Sequence, residues 1–531
     1  MKKLTLLLFC IFLLGFTRNN AAAQPAGSLD PSFNNTGYYI HDFGFQDNLN
    51  QIVLQPDQKI LATGVALTAS FTGELKVLRL NTNGTPDMSF GTNGVFAYAG
   101  SGETYGYALA LTADGKIIVG GIYFNVETDY TADMLLIRLD QSGNLDPDFG
   151  TNGVVIAPLS PFDDYLQALA IQPDGKIVVS GTVAETVGFE LRNAPSIIRF
   201  LENGQLDTGF GTNGVVKFTP EAIDNELTSC IVQPDGKIVA SGHFEAPFIG
   251  FSNFDILVVR VNENGTPDTT FGTNGKVITP VNGGVDDAFG MDTDNQGNIY
   301  VAGFTTLPVT LELDMVLLKY LSDGQLDPDF GNAGLVTFNA QPYDVANDLI
   351  IQPDGKILLA GSIGGSFLDP KSFALWRYLP NGSPDLTFGT TGHITTDVVA
   401  NSMHEFNTVA LQDNGSIVAA GKVYSGTNND MIVARYINDL NTGIASVSPT
   451  ANYLVYPNPS SGSLTLNLTR FQAYEKVVFT VYNLQGSIVA QQTITTQTSQ
   501  SISLDLPAGA YVYTFTAGNF TNTGKLWVLP E

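Results

Sequence analysis

The chain has 531 residues, of which 14% are charged, 44% are hydrophobic and 55 are glycine, with a formal net charge of −27. This is the composition of a strand-and-turn protein rather than of a disordered one, and its acidity sets aside nucleic acid and anionic membranes as partners, because both are held by Lys and Arg. Its two cysteines, Cys10 and Cys230, exclude a disulfide-stapled scaffold.

The first element is a leader. Lys2 and Lys3 precede an apolar run over 4–16, and Ala21-Ala22-Ala23 offers a small-residue cleavage site before Gln24, so residues 1–23 read as a signal peptide and the protein as exported. The run is too short for a membrane span, which needs about 20 residues. Phe9 before Cys10 is too bulky for lipoprotein processing. Loss of the leader leaves Cys230 alone; within Cys230-Ile231-Val232 it reads as a packed, unreactive thiol.

Residues 24–437 repeat. A frame G-x2-D-x2-F-x3-G recurs with phenylalanines Phe33, Phe90, Phe149, Phe210, Phe271, Phe330 and Phe388, so the fold is built from copies of one unit. The first glycine follows a polar residue, as in Asn83-Gly84 and Ser142-Gly143, and turns the chain. The aspartates (Asp30, Asp87, Asp146, Asp207, Asp268, Asp327 and Asp385) suit Asx caps, and the phenylalanines suit anchors between units. A second element places Asp-Gly or a relative between two apolar runs, at Asp114-Gly115, Asp174-Gly175, Asp235-Gly236, Gln296-Gly297, Asp354-Gly355 and Asn414-Gly415, and predicts a hairpin. The first copy carries Asp57-Gln58, where positive φ is strained, and a locally different turn is expected. A third run ends each unit at Arg79, Arg138, Arg199, Arg260, Lys319, Arg377 or Arg435. Four short strands in seven units predict an all-β, seven-bladed β-propeller, with an open β-solenoid as the alternative. The frame, with copies such as Leu145-Asp146-Pro147-Asp148-Phe149-Gly150-Thr151-Asn152-Gly153-Val154, resembles the delta-60 repeat of secreted bacterial proteins, a resemblance that implies a repeat and no particular reaction.

Residues 438–452, rich in Asn, Thr, Ser and Ala, read as a linker. Residues 453–531 hold short alternating runs that predict a small Ig-like β-sandwich. Tyr456-Pro457-Asn458-Pro459 with Gly462, Tyr482-Asn483-Leu484-Gln485-Gly486, Gly509 and Tyr511, and the terminal Gly524-Lys525-Leu526 resemble the type IX secretion C-terminal sorting domain of Bacteroidota. The resemblance implies Sec export, passage across the outer membrane by the type IX machinery, and release or attachment at the surface. It makes Pro457, Asn458, Pro459, Gly462, Gly509, Tyr511, Gly524 and Lys525 the sorting-motif residues.

Signatures of chemistry are sparse: the chain has no P-loop, G-x-S-x-G or H-E-x-x-H motif and no Cys/His set of zinc spacing. His41, His243, His393 and His404 stand singly and read as surface or loop residues. The turn reading accounts for Asp292-x-Asp294-x-Gln296-Gly297. Ten to twelve residues before each hairpin-turn position stands an acid, Asp47, Glu103, Asp164, Asp224, Asp287, Asp344 or Glu405. Repeat geometry would bring these to one face as a carboxylate ring for a hard cation such as Ca²⁺, with solvated loop acids as the bland alternative. No other cofactor is expected. Inserts carrying Phe244, Phe248, Phe251 and Phe254, or Tyr123, Phe124 and Tyr130, are candidate recognition loops. The expectation is a monomeric, non-enzymatic binding or display protein, secreted or on the cell surface, taking a glycan, polymer or protein. The alternatives are a propeller hydrolase with paired carboxylates and a purely structural surface protein.

Overall fold

The computed structural model describes residues 24–126, 130–218, 224–246, 253–307, 310, 312–366, 369–389 and 391–439, and in the C-terminal region 455–456, 463–467, 476–483, 487–495, 499–504, 506–507, 509–517 and 520–528. The chain divides into two compact units, Met1–Asp439 and Leu440–Glu531. Both are all-β, with no helix among the described residues.

In the first unit the strands form four-stranded antiparallel meanders of one pattern, two of them joined into one eight-stranded sheet by a single parallel bridge, Leu313 to Tyr343. Asp164–Ile171, Ile177–Val187, Glu190–Phe200 and Val215–Lys217 pair in sequence order, and the same meander recurs along the chain. The innermost strands are Asp47–Leu54, Glu103–Leu111, Asp164–Ile171, Asn225–Val232, Asp286–Thr293, Tyr343–Ile351 and His404–Leu411. They alternate buried and half-buried residues, because one edge of each faces a central space; the second and third strands are buried on both faces and read as apolar runs such as Ile117, Ile118, Val119. The core lies between sheets: Ala108, Ile118 and Met134 of one pack on Leu166, Val179 and Ile198 of the next.

The ends of this unit meet. Strand Tyr38–His41 pairs with Asn429–Tyr436 and so supplies the fourth strand of the last sheet. Leu49, Ile60 and Leu78 then pack on Val418, Met431 and Val433. The closing repeat is therefore split, its frame coming from the N-terminal side and its other three strands from the end of the unit.

The hairpin turns are uniform, including the one expected to differ. Gln58 N–H donates to Gln55 O at 2.7 Å, as Gly115 N–H does to Thr112 O at 2.9 Å, and Gln58 adopts φ 65° to keep the shared turn. The turn survives because the last repeat holds it: Asp413 N–H donates to Gln58 Oε1 at 2.9 Å and Gln412 Nε2 to Gln58 O at 3.3 Å.

In the second unit Lys476–Tyr482 pairs with Ile488–Thr495 and with Gly509–Ala517, which pairs in turn with Phe520–Val528; a smaller sheet joins Val455–Tyr456, Ser463–Asn467 and Ser499–Ser503. Leu464, Val477, Phe479, Phe515 and Leu526 form its core.

Candidate functional site

The recurrent Asp, Phe and basic residues are consumed by structure. At the hairpin-turn end of the inner strands, Arg79 Nε donates to Asp87 Oδ2 at 2.8 Å, Lys59 Nζ lies 3.0 Å from the same oxygen, and Ser89 N–H caps Asp87 Oδ1. The Arg79 guanidinium stacks 4.6 Å from the centre of the fully buried Phe90 ring, and its Nη1 reaches Gln141 O in the next unit. Arg138, Arg199, Arg260 and Arg435 repeat this clasp on Phe149, Phe210, Phe271 and Phe33. A Cβ on Gly143, at φ 83°, would stand 2.7 Å from the Phe90 ring, so this glycine serves close packing as well as the turn. Arg377 uses Asn438 and Asp439 where its counterparts use the neighbouring turn, so these two residues, the first of the expected linker, are held by the repeat unit.

The inner strands carry a second, less visible repeat. Each has a β-bulge, and the extra residues are Asn50, Tyr107, Gln167, Thr228, Phe289, Asn347 and Asn407. They converge on one central cavity of about 400 Å³ lined also by Gln51, Glu226, Asp348 and Thr408. Where the residue is Asn or Thr its side chain donates to the next inner strand: Asn50 to Gly106 O (2.7 Å), Thr228 to Ala288 O (2.5 Å), Asn347 to Phe406 O (2.8 Å) and Asn407 to Leu49 O (2.7 Å). Tyr107, Gln167 and Phe289 break this pattern, so the cavity wall is irregular where the scaffold is regular.

Beside Tyr107 and Gln167, towards the start of the inner strands, the cavity wall becomes acidic. Glu226 accepts from Gln167 Nε2 and faces its cross-strand neighbour His243. His243 Nδ1 lies 3.1 Å from Asp287 Oδ1, its ring packs 4.6 Å from that of Phe254, and its Nε2 is buried with no hydrogen-bond partner among the described residues. Burial pushes the Glu226 carboxyl up to about 7, against the pull of His243. Burial also disfavours a charged His243 ring, but the hydrogen bond and charge of Asp287, helped by Glu226 and Asp224, lift it to about 9. Two carboxyls, Glu226 across the strand pair and Asp287 from the next inner strand, thus flank a cationic imidazole. A second recess of about 290 Å³ adjoins them, lined by Tyr107, Phe124, Tyr165, Gln167, Asn193 and Asp224.

The expected acids occupy different registers. Asp47, Asp164 and Asp344 are buried and cap backbone: Asp47 Oδ2 accepts Phe43 N–H, Asp164 Oδ2 accepts Leu159 and Ser160 N–H, and Asp344 Oδ2 accepts Ala340 and Gln341 N–H. Glu103 binds the Tyr105 and Tyr130 hydroxyls, Asp224 accepts from Asn193, Asp287 pairs with His243, and Glu405 lies 3.3 Å from Lys422. Counted from the bulge they stand two, three or four residues earlier, so they form no single tier.

The histidines also need correction. His243 and His404 are buried rather than superficial, and His404 accepts the N–H groups of Val398 and Val399 at the register where other units use aspartate. Cys230 is buried, and burial pushes its thiol up to about 12, as expected of a packed, unreactive cysteine. Among the insert aromatics, Phe244 and Tyr123 are core, Tyr130 is exposed, and Phe248 and Phe251 lie outside the described residues. The leader 1–23 and Pro457, Asn458, Pro459 and Gly462 lie outside them too. Gly509 begins a strand, Tyr511 is buried with its hydroxyl on Pro507 O at 2.7 Å, and Gly524 and Lys525 sit in the last strand.

Comparison with known proteins gives two family matches. A domain of unknown function (DUF5122) β-propeller matches residues 55–90, 112–149, 172–210, 233–271 and 352–388, and a secretion system C-terminal sorting domain matches 454–529. No curated protein matches the chain. Similar solved structures include the polysaccharide lyase Uly1, at 13% identity over 73% of this chain and 89% of that one with a TM-score of 0.43. A GH43_12 retrieved from capybara gut metagenome matches at 10% over 79% and 88%, TM-score 0.26. A subtype N10 neuraminidase-like protein of A/little yellow-shouldered bat/Guatemala/060/2010 matches at 10% over 62% and 94%, TM-score 0.33. The expectation of a non-enzymatic protein is corrected here: the solved structures similar to this chain include enzymes, a polysaccharide lyase among them. At these identities and scores the neighbours' own chemistry is not carried over. The chain carries DUF5122 β-propeller repeats and ends in a secretion system C-terminal sorting domain of the type IX pathway.

Proposed function

We propose that this type IX-exported protein binds a glycan or similarly hydroxyl-rich polymer at the acidic mouth of its propeller, which we read as a ring of seven blades. The observation that carries the proposal is the grouping of Tyr107, Tyr165, Gln167 and Glu226 around the two recesses, at bulge-side positions whose residue type varies from sheet to sheet. Tyrosine faces stack on sugar rings while carboxylates and amides accept and donate to hydroxyls. The leader would be removed at Ala23–Gln24 and the 453–531 domain during export. The test is glycan-array binding of the full chain beside Tyr165→Ala and Gln167→Ala, with thermal melts as a folding control. The proposal expects at least about a tenfold loss for each variant at unchanged Tm, a loss of about 1.4 kcal/mol; absence of binding, or variants that bind as wild type, would overturn it.

A second reading, acid–base cleavage of the bound polymer, is favoured by one specific observation. Glu226 is held towards its protonated form and Asp287 is paired with a cationic imidazole, the separation of roles that a general acid and its partner carboxylate require. In this reading Glu226→Gln retains binding but abolishes release of new chain ends from the bound polysaccharide. Release by Glu226→Gln at the wild-type rate would sink it.

A further inference from the structure

We propose that Asp42, Asp47 and Asp430 hold one hard divalent cation of the Ca²⁺ class, which fastens the start of the repeat unit to its last sheet. Each offers a carboxylate oxygen, and the three oxygens lie within 4.8 Å of one another. Oxygens on one Ca²⁺ ion, at about 2.4 Å each, are at most about 4.8 Å apart, so the span fits a common ion. The three come from both ends of the fold: Asp42 follows strand Tyr38–His41, Asp47 opens Asp47–Leu54, and Asp430 lies in Asn429–Tyr436.

The independent sign of a missing ligand is Asp47 itself. It is 1% exposed, its Oδ2 is satisfied by Phe43 N–H, and its Oδ1 is buried with no hydrogen-bond partner among the described residues. A buried carboxylate oxygen left without a partner carries a desolvation penalty that a cation removes. At the same register Asp164 Oδ1 receives Ala184 N–H and Asp286 Oδ1 receives the Thr305 hydroxyl. Asp344 Oδ1 is also unpartnered, but no third acid stands within reach of it among the described residues, and its neighbour Asp314 is taken by Asn339. Lys76, a cation whose charge reaches Asp47, has its ammonium 2.7 Å from Glu74. Asp430 is buried, whereas Asp42 is exposed and gives the ion a route in from solvent.

The test titrates CaCl₂ into the EDTA-stripped full chain by calorimetry and follows Tm. Binding at this site with a Tm rise of a few degrees at about 1 mM Ca²⁺, the affinity range of extracellular sites, is expected. Asp42→Asn, at an exposed position that leaves folding intact, should weaken binding at least tenfold, and Asp430→Asn should abolish it. Asp314→Asn, in the acid pair without a third member, should bind as wild type. No heat and no Tm shift with Ca²⁺, Mg²⁺ or Mn²⁺, or full binding by Asp42→Asn and Asp430→Asn, would overturn the proposal.

Discussion

Gln58 holds a backbone conformation that glycine serves at the equivalent turn position in most other repeats, with φ 65° where Gly175 has 84° and Gly355 has 84°. A left-handed non-glycine residue costs about 1–2 kcal/mol, and here the cost is offset by contacts with Gln412 and Asp413 across the closure. Gly355→Gln supplies the strain without those contacts and adds a tight approach, a new Cβ standing 3.3 Å from Pro380 Cγ, which must give by a few tenths of an ångström. Thermal melts should therefore show Gly355→Gln destabilised by about 1 kcal/mol, and Gln58→Gly within about 1 kcal/mol of wild type. Equal losses in both would mean that closure contacts do not compensate at Gln58. A residue-level departure from a repeat thus marks a junction, and His243 makes the same point: its counterparts on the other second strands include Val65 and Thr182, while it pairs with Asp287 of the next inner strand.

At the scale of the element, two fastenings join neighbouring sheets, and they differ in how far the sequence discloses them. The Asp–Phe–basic clasp is legible because each role needs one residue type: a carboxylate to cap and pair, a ring to bury, a cation to stack. Phe271→Ala should cost about 3–5 kcal/mol, since it empties a fully buried site and removes the surface on which Arg260 lies. The bulge ring is not legible in that way. Its requirement is a position, and Asn, Thr, Gln, Tyr and Phe all occupy it, so no residue type repeats. The available signal was the variable residue just before apolar runs such as Ala108-Leu109 and Ala168-Leu169, and it marks the cavity. The expected acid ring spreads over several registers for the complementary reason: counting back from the turn tolerated a drift of one residue to either side, and one residue along the chain takes a side chain from a buried cap such as Asp47 to a loop such as that of Asp224. Asn347→Ala should cost about 1 kcal/mol through the lost bond to Phe406 O, as read by denaturant unfolding. A loss above about 3 kcal/mol would assign Asn347 a packing role instead.

For the whole molecule, the arrangement of acids sets an unusual dependence of stability on pH. Burial pushes Asp47 and Asp348 up to about 7 and Asp344 to about 6, and Glu226 lies at about 7. A carboxyl raised in the folded state binds its proton more tightly there than in the unfolded chain, so it favours folding when protonated and this stability is lost as pH rises from about 4 to about 7. His243, raised to about 9, adds a loss as pH rises from about 6.5. The clasp acids act in the opposite sense. Burial opposes their charge, but hydrogen bonds from Ser89 and Lys59 and the charge of Arg79 hold Asp87 well below the usual range, and Thr387, Lys356 and Arg377 bring Asp385 to about 2. Their contribution is present above about 4 and is lost only as pH falls below that value. The two sets meet near pH 4–5, so in EDTA the Tm should be higher at pH 5 than at pH 8 by on the order of a few degrees. Asp348→Asn should flatten the slope between pH 5 and 8, because the Val409 N–H that Asp348 binds at 2.8 Å can be accepted by an amide oxygen without a charge to bury. A Tm that climbs from pH 5 to pH 8 would show these carboxyls to be solvated in the folded chain. The same experiment with Ca²⁺ present separates Asp47 from the others, since an ion there replaces the proton and removes that residue's share of the slope.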